Sequence, residues 1–292
     1  MAVTLIDGKA VANKIKVELH NRITLLKQRG IVPGLAVILV GEDPASQVYV
    51  NMKQKTCDEL GIHSETTHLP ADISQAELLR QIDRFNSAKD IHGILVQLPL
   101  PKHIDTETVI ARISVDKDVD GFNPYNVGKL MVGKPRYVPC TPAGILELLH
   151  HYGFYPDGKH VVIVGRSNIV GKPLANLLLQ KTKGCNATVT ICHTGTTDLG
   201  YFTSQAEILV VAAGRPGAVT AEMVKEGVVV IDVGVNRVAD SSTTKGYRLV
   251  GDVDFNSVSQ KAKAITPVPG GVGPMTIVML MKNTVIAAET LN

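Results

Sequence analysis

The chain contains no tryptophan, and its five phenylalanines and seven tyrosines bring aromatic residues to only 4%. Its core must therefore be aliphatic, built from Val, Ile and Leu. Massed positive charge is also missing. The formal net charge is +3 and the Lys and Arg residues are dispersed, which argues against a nucleic-acid binder but leaves room for a local basic patch facing an anionic small molecule. The four cysteines, Cys57, Cys140, Cys185 and Cys192, stand apart with no CxxC pair, so zinc and redox readings are weak and reduced cytoplasmic thiols are expected. The nine histidines show neither HxxxH nor HxH spacing, so no metal site is expected. No apolar run approaches the ~20 residues needed to span a bilayer. The N-terminal MAVTLIDGKAV lacks a basic-then-apolar signal pattern. What is present, 292 residues at 45% hydrophobic and 20% charged, suits a globular protein of one large or two ordinary domains.

Short β-branched runs alternate with amphipathic stretches. Ile15, Leu19 and Ile23 recur at helical spacing before the strand-like LAVILVG (35–41). A helix over about 45–60, the segment HSETTHL, a helix over about 74–86 and the run GILVQLPLP (93–101) continue the strand–helix order of an α/β domain. The proline-rich PRYVPCTP (135–142) marks a boundary. Beyond it, the strand in HVVIVGRSNIVGKPLANLLL and the runs ATVTIC, AEILVVAAG and GVVVIDVG have the continuous apolar character of parallel strands buried on both faces. The expected fold is α/β with two domains. One is an N-terminal α/β catalytic domain over 1–138. The other is a Rossmann-like, doubly wound nucleotide-binding domain over 139–274. The apolar helix over 275–292 is expected to return to the first domain.

Gly165-Arg166-Ser167-Asn168-Ile169-Val170-Gly171 follows a strand and opens a helix. Such a turn presents backbone amides and a helix N-terminus to a pyrophosphate. The spacing is not GxGxxG, so a tight βα turn with glycines for geometry alone is the other reading. After the second strand of this half comes His193-Thr194-Gly195-Thr196, with no acid before Asp198. An acid there would repel a 2′-phosphate, whereas Arg166, Thr194 and Thr196 can donate to one, so NADP is favoured over NAD.

Tyr49 and Lys53 lie four apart in SQVYVNMKQK and share a helix face, pairing a flat aromatic with an amine. An ordinary solvated lysine is the plainer alternative, and Lys55 is expected to be that case. Gln97 is a polar residue within an apolar strand, near the carboxyl end where α/β sheets place ligands; a structural hydrogen bond would account for it equally. KDVDGFNPYN offers Asp118 and Asp120, of which Asp118 is expected to be a solvated turn acid.

These segments together resemble the bifunctional methylenetetrahydrofolate dehydrogenase/methenyltetrahydrofolate cyclohydrolase family. The likeness runs in order through SQVYVNMKQK, VQLPLP, KDVDGFNPYN, PCTPAGILELL, GRSNIVGKPLANLL, AAGRPG, IDVGVNR, GDVDF and ITPVPGGVGPMT. It implies hydride transfer from 5,10-methylenetetrahydrofolate to NADP, then hydrolysis of the methenyl product to 10-formyltetrahydrofolate. It implies that Lys53 is the acid/base, held and tuned by Gln97, that Tyr49 stacks on the substrate, and that Asp120 holds the pterin. Leu98, Pro99, Pro269, Gly270 and Gly271 are the further substrate positions that the resemblance implies; Gly165, Arg166, Ser167, Thr194 and Val235 are the cofactor positions, and a homodimer is the assembly. Asn123 stands where many members carry His. HTGT replaces HS(R/K)T, so recognition of the 2′-phosphate leans on Arg166. A monofunctional NAD(P)-dependent dehydrogenase and a catalytically silent folate- or nucleotide-binding protein are the competing expectations.

Overall fold

A computed structural model of the chain describes residues 2–243 and 246–291. Along the chain, β1 (Thr4–Leu5) and α1 (Gly8–Gln28) lead to β2 (Gly34–Val40), α2 (Pro44–Leu60), β3 (His63–Leu69), α3 (Gln75–Ser87) and β4 (Gly93–Val96). Three helices follow: α4 (Thr106–Arg112), α5 (Pro124–Met131) and α6 (Cys140–His151). Strands and helices then alternate through β5 (His160–Val164), α7 (Gly171–Leu178), β6 (Thr188–Cys192), α8 (Leu199–Thr203), β7 (Ile208–Val211) and β8 (Val229–Asp232). The antiparallel pair β9 (Asn236–Ala239) and β10 (Tyr247–Val250), then α9 (Phe255–Val258), β11 (Ala264–Ile265) and α10 (Val272–Leu291), complete the order. The contacts divide these elements into two compact units, Met1–Ala12 with Thr141–Thr276 and Asn13–Cys140 with Ile277–Asn292.

The unit containing Asn13–Cys140 is built on a parallel sheet in the order β3-β2-β4. β2 reads GLAVILV and is buried at every position, as a central strand covered on both faces must be. β3 reads HSETTHL and lies at the edge, where polar side chains reach water. Ser74 caps α3 by accepting from Glu77 N at 3.2 Å, and Leu78, Ile82 and Phe85 then point one stripe at Ile38, Ile94 and Val96. The later part of α10 belongs to this unit. Asn283 Nδ2 donates to Val119 O (2.8 Å) and Val138 O (3.0 Å), and Arg22 forks onto Glu289 at 3.0 and 2.6 Å. The C-terminal helix thus returns to the N-terminal sheet's unit.

The other unit holds a six-stranded, all-parallel sheet in the order β1-β11-β8-β7-β5-β6. The core strands β5, β7 and β8 are runs of Val, Ile and Leu with inner faces closed by Ala206, Val219, Val224 and Val258. β5 is followed by β6 on one side and by β7 on the other. Beyond the strand ends at such a reversal is where doubly wound sheets bind ligands. At the opposite edge, β11 pairs with β8 and β1 pairs with β11, Thr4 with Ala264 and Leu5 with Ile265. Gly8 opens α1 against the turn Pro269–Gly271: Lys9 N donates to Gly270 O at 3.2 Å, and a Cβ on Gly8 would lie inside contact distance of Gly271 O.

Two glycine substitutions separate close approach from helix propensity. Gly8→Ala should lose roughly 1–3 kcal/mol, because its methyl meets backbone that cannot swing aside. Gly128→Ala, in α5 with open space around it, should gain up to about 1 kcal/mol. Urea unfolding of both variants against the parent measures the two signs.

Candidate functional site

Asp43 caps α2 by accepting from Ser46 N at 2.7 Å, Pro44 occupies the first turn, and Gly61 ends the helix in the left-handed region at φ 72°. Between these stops, Val50, Lys53, Thr56 and Cys57 face the core. Lys53 is only 8% exposed, while Lys55 is exposed as expected. An ammonium held out of water needs an acceptor. Lys53 Nζ donates to Gln97 Oε1 at 2.9 Å, and Gln97 Nε2 donates to Leu98 O at 2.8 Å. The second bond fixes the amide so that its oxygen faces the lysine. Gln97 itself follows β4, with its N–H donating to Ile38 O (2.8 Å) and extending the ladder by one residue. Sheet register thus carries its side chain to Lys53.

The segment after α4 runs beside β4: Ile94 N donates to Lys117 O at 2.8 Å, and Ile94 and Asp118 form a parallel bridge. Asp118 is buried, contrary to the expectation of a solvated turn acid. Its carboxylate accepts from Phe122 N (3.2 Å), Asn123 N (2.8 Å) and Asn126 Nδ2 (2.8 Å), which closes the turn at Gly121, φ 73°. Burial pushes its carboxyl up to about 7 against those donors. Asn123, at the family's histidine position, is committed elsewhere. Its Oδ1 caps α5 at Tyr125 N (3.0 Å) and its Nδ2 donates to Ile113 O (2.9 Å).

This turn delivers Asp120 to Lys53. Burial raises the Asp120 carboxyl, opposed by the Lys53 charge; burial lowers the Lys53 ammonium, opposed first by Asp120. Burial thus disfavours the charged form of both groups, the direction that a lysine serving as a base requires. Cys140 lies against the pair, with Sγ 3.7 Å from Asp120 Oδ1, and burial pushes its thiol well above the usual range. Nothing in the periodicity of PCTPAGILELL pointed to that contact. Tyr49 stands one turn before Lys53, half-buried, and burial raises its hydroxyl. Leu98 presents its carbonyl to Gln97, and Pro99 is exposed.

The other unit holds the remaining expected residues. Gly165 follows β5 at φ 133°, where a Cβ would press into Ala212 O, and one on Gly171 would press into Gly165 O. Only glycine permits a turn that tight. Ser167 Oγ accepts from Val170 N at 3.1 Å and so shapes the entry to α7. Arg166, Ser167 and Thr194 are exposed at the carboxyl ends of β5 and β6, and Val235 is exposed beyond β8. His193, absent from the expected set, joins them. Its Nδ1 accepts from Gly195 N (3.0 Å), so the neutral ring carries its proton on Nε2, which lies 3.4 Å from Arg166 Nη1. Two donors side by side suit an anion. Asp198 caps α8 by accepting from Tyr201 N at 3.0 Å and is thereby occupied. The donor set therefore fits a dinucleotide with a 2′-phosphate. Pro269, Gly270 and Gly271 form the turn beside Gly8. Among the described residues, no group of three His, Cys, Asp or Glu is placed to hold a metal, and no helix is long and apolar enough to cross a membrane.

Residues 6–120 match the family described as tetrahydrofolate dehydrogenase/cyclohydrolase, catalytic domain, and residues 139–292 match its NAD(P)-binding domain. The chain is 59% identical over 289 residues to the bifunctional protein FolD of Syntrophus aciditrophicus, covering 99% of this chain and 98% of that one. The crystal structure of bifunctional FolD from Campylobacter jejuni aligns with a TM-score of 0.93 at 51% identity, covering 99% of both chains. FolD from Trypanosoma brucei, solved with NADP cofactor and an inhibitor, aligns with a TM-score of 0.94 at 43% identity, covering 99% of this chain and 98% of that one.

If Asp120 holds the Lys53 proton in place, Asp120→Asn lowers the pH at which the lysine titrates. Removing the carboxylate takes away the largest influence that favours the ammonium, and burial acts unopposed by it. NMR titration of 13C-labelled lysine reads the shift; no change, or a rise, refutes the coupling.

Proposed function

Because the chain belongs to the tetrahydrofolate dehydrogenase/cyclohydrolase family, we infer that it performs two successive reactions on one folate. The first is NADP-dependent oxidation of 5,10-methylenetetrahydrofolate to the 5,10-methenyl form. The second is hydrolysis of that cation to 10-formyltetrahydrofolate. NADP, when bound, supplies the hydride acceptor. Support for the second reaction rests on one observation, the buried Lys53 with its ammonium disfavoured and its Nζ bonded to Gln97. A neutral amine takes a proton from water as its oxygen joins the methenyl carbon. The resulting ammonium returns a proton to the ring nitrogen as the C–N bond opens, and the hydroxyl left on the former methenyl carbon releases its proton to water as the formyl C=O forms. A cationic substrate beside Lys53 favours the neutral amine further.

In this reading Gln97 orients the lysine, Tyr49 stacks on the folate ring system, and Asp120 accepts from the pterin N–H and amino group. Leu98 and Pro99 border the same group. The turn at Gly165 and Ser167 after β5 donates to the dinucleotide phosphates, Arg166 pairs with the 2′-phosphate beside Thr194, and Val235 faces the cofactor. A monofunctional dehydrogenase would have no use for an amine whose charge burial disfavours. A silent folate- or nucleotide-binding protein would have no use for the buried Lys53 either. The same reading assigns a homodimer, tested by mass measurement in solution. It also assigns a cytoplasmic location, which four buried free cysteines suit.

Absorbance assays separate these outcomes. NADPH appears when methylenetetrahydrofolate and NADP are supplied, and methenyl absorbance decays faster than in buffer without cofactor. Lys53→Met should abolish the decay above buffer; survival at the parental rate would remove Lys53 from the chemistry. Arg166→Ala should raise the KM for NADP by about ten- to a hundredfold, the loss of one or two charge-assisted bonds, with little change for NAD. Equal losses for both cofactors would show that Arg166 does not read the 2′-phosphate.

A further inference from the structure

Two carboxylates interlock beyond the carboxyl ends of β7 and β8. Asp232 ends β8 and is 3% exposed; Asp252 is fully buried. Asp232 Oδ1 accepts from Gly234 N (3.0 Å) and Asp252 N (2.9 Å), and its Oδ2 accepts from Val253 N (3.0 Å). Asp252 Oδ2 accepts from Ala213 N (2.6 Å) and Gly214 N (2.8 Å), and its Oδ1 accepts from Asn236 Nδ2 (2.8 Å). The fit leaves no room for a side chain. A Cβ on Gly251 would collide with Asp232 Oδ2, and one on Gly234 would collide with the Asp252 carboxyl. Val235 sits between the two anchors, its neighbour Gly234 held by Asp232 and its neighbour Asn236 held by Asp252.

Val211, Val230 and Val253 belong to the apolar core of this region, where hydrocarbon would fill the volume at no greater cost than buried carboxylates. What a carboxylate adds is directional hold on amides of segments that have left the sheet. We propose that Asp252, together with Asp232, is a positioning residue for the dinucleotide: the clamp fixes Val235 and the Ala213–Gly214 backbone in the geometry that the cofactor meets, and so sets cofactor affinity. The proposal rests on the reading of Val235 as cofactor-facing.

Asp252→Asn presents an amide that cannot accept on both edges. Its oxygen can serve Ala213 and Gly214 only if its NH2 meets the Asn236 NH2. The KM for NADP in the dehydrogenase reaction should rise about tenfold, while cofactor-free hydrolysis of methenyltetrahydrofolate stays within about twofold of the parent. Asn236→Ala removes the link to Asp252 Oδ1 together with the longer bonds to Gly251 O and Val250 O, should move the KM in the same direction, and carries the test if Asp252→Asn does not fold. A KM for NADP within about twofold of the parent in every folded variant overturns the proposal. So does a parallel fall of both activities with the melting temperature, which would mark a role in folding alone. Val235→Trp separates the two readings. If it leaves the KM for NADP unchanged, Val235 does not face the cofactor and the clamp loses its object. If Val235→Trp raises the KM and the clamp variants do not, only the clamp fails.

Discussion

A primary amine kept out of water is the constraint around which the catalytic unit is arranged. Burial disfavours the Lys53 ammonium, and an unpaired ammonium there would cost far more than a side chain normally contributes. The fold supplies one neutral acceptor, Gln97 Oε1, and one opposing charge, Asp120. Neither is near Lys53 in sequence. α2 brings the lysine, the end of β4 brings the glutamine, and the turn closed by Asp118 brings the aspartate. The parallel register of β2 with β4 and the bridge from Ile94 to Asp118 are therefore parts of the site.

Carboxylates that accept backbone amides recur where the chain must turn sharply beyond a strand. Asp118 does this for Phe122 and Asn123, Asp232 for Gly234 and Val253, and Asp252 for Ala213 and Gly214. Each carboxyl is kept from water, and burial pushes Asp232 up to about 6 and Asp118 up to about 7. An amide or hydroxyl accepts on a single oxygen only. Only a carboxylate accepts on both edges, and this explains why short acid–glycine segments, DVDG, IDVG and GDVD, occur beside the chemistry.

How much of this was legible in the sequence follows from the range of each interaction. The runs of β2, β5, β7 and β8 were readable because both faces of a central parallel strand are buried and the pattern is local. α2 was readable from helical spacing and placed Tyr49 and Lys53 on one face. The burial of Lys53 was not readable, because it depends on β4 and on Asp120, 44 and 67 residues away. Asp118 was misjudged for the same reason: a turn acid looks solvated until its three donors are seen folded back on it. The two residues of β1 carry no period at all, and their pairing with β11 joins positions 260 residues apart.

The two units differ in what they ask of their side chains, and their composition follows. Acid/base chemistry, in the proposed reading, needs a group whose proton is finely balanced, so this unit tolerates a lysine, an aspartate and a thiol packed together, where burial disfavours the charge of each and the lysine and aspartate oppose that effect for one another. Binding a dinucleotide needs position more than proton balance, so the other unit relies on glycines that admit close approach and on backbone fixed by hydrogen bonds. Arg166 is exposed and His193 half-buried beside it at the carboxyl ends of β5 and β6, where the proposed reading puts the 2′-phosphate. A lysine as deeply buried as Lys53 would be a liability there, since it would lose the charge that a phosphate requires.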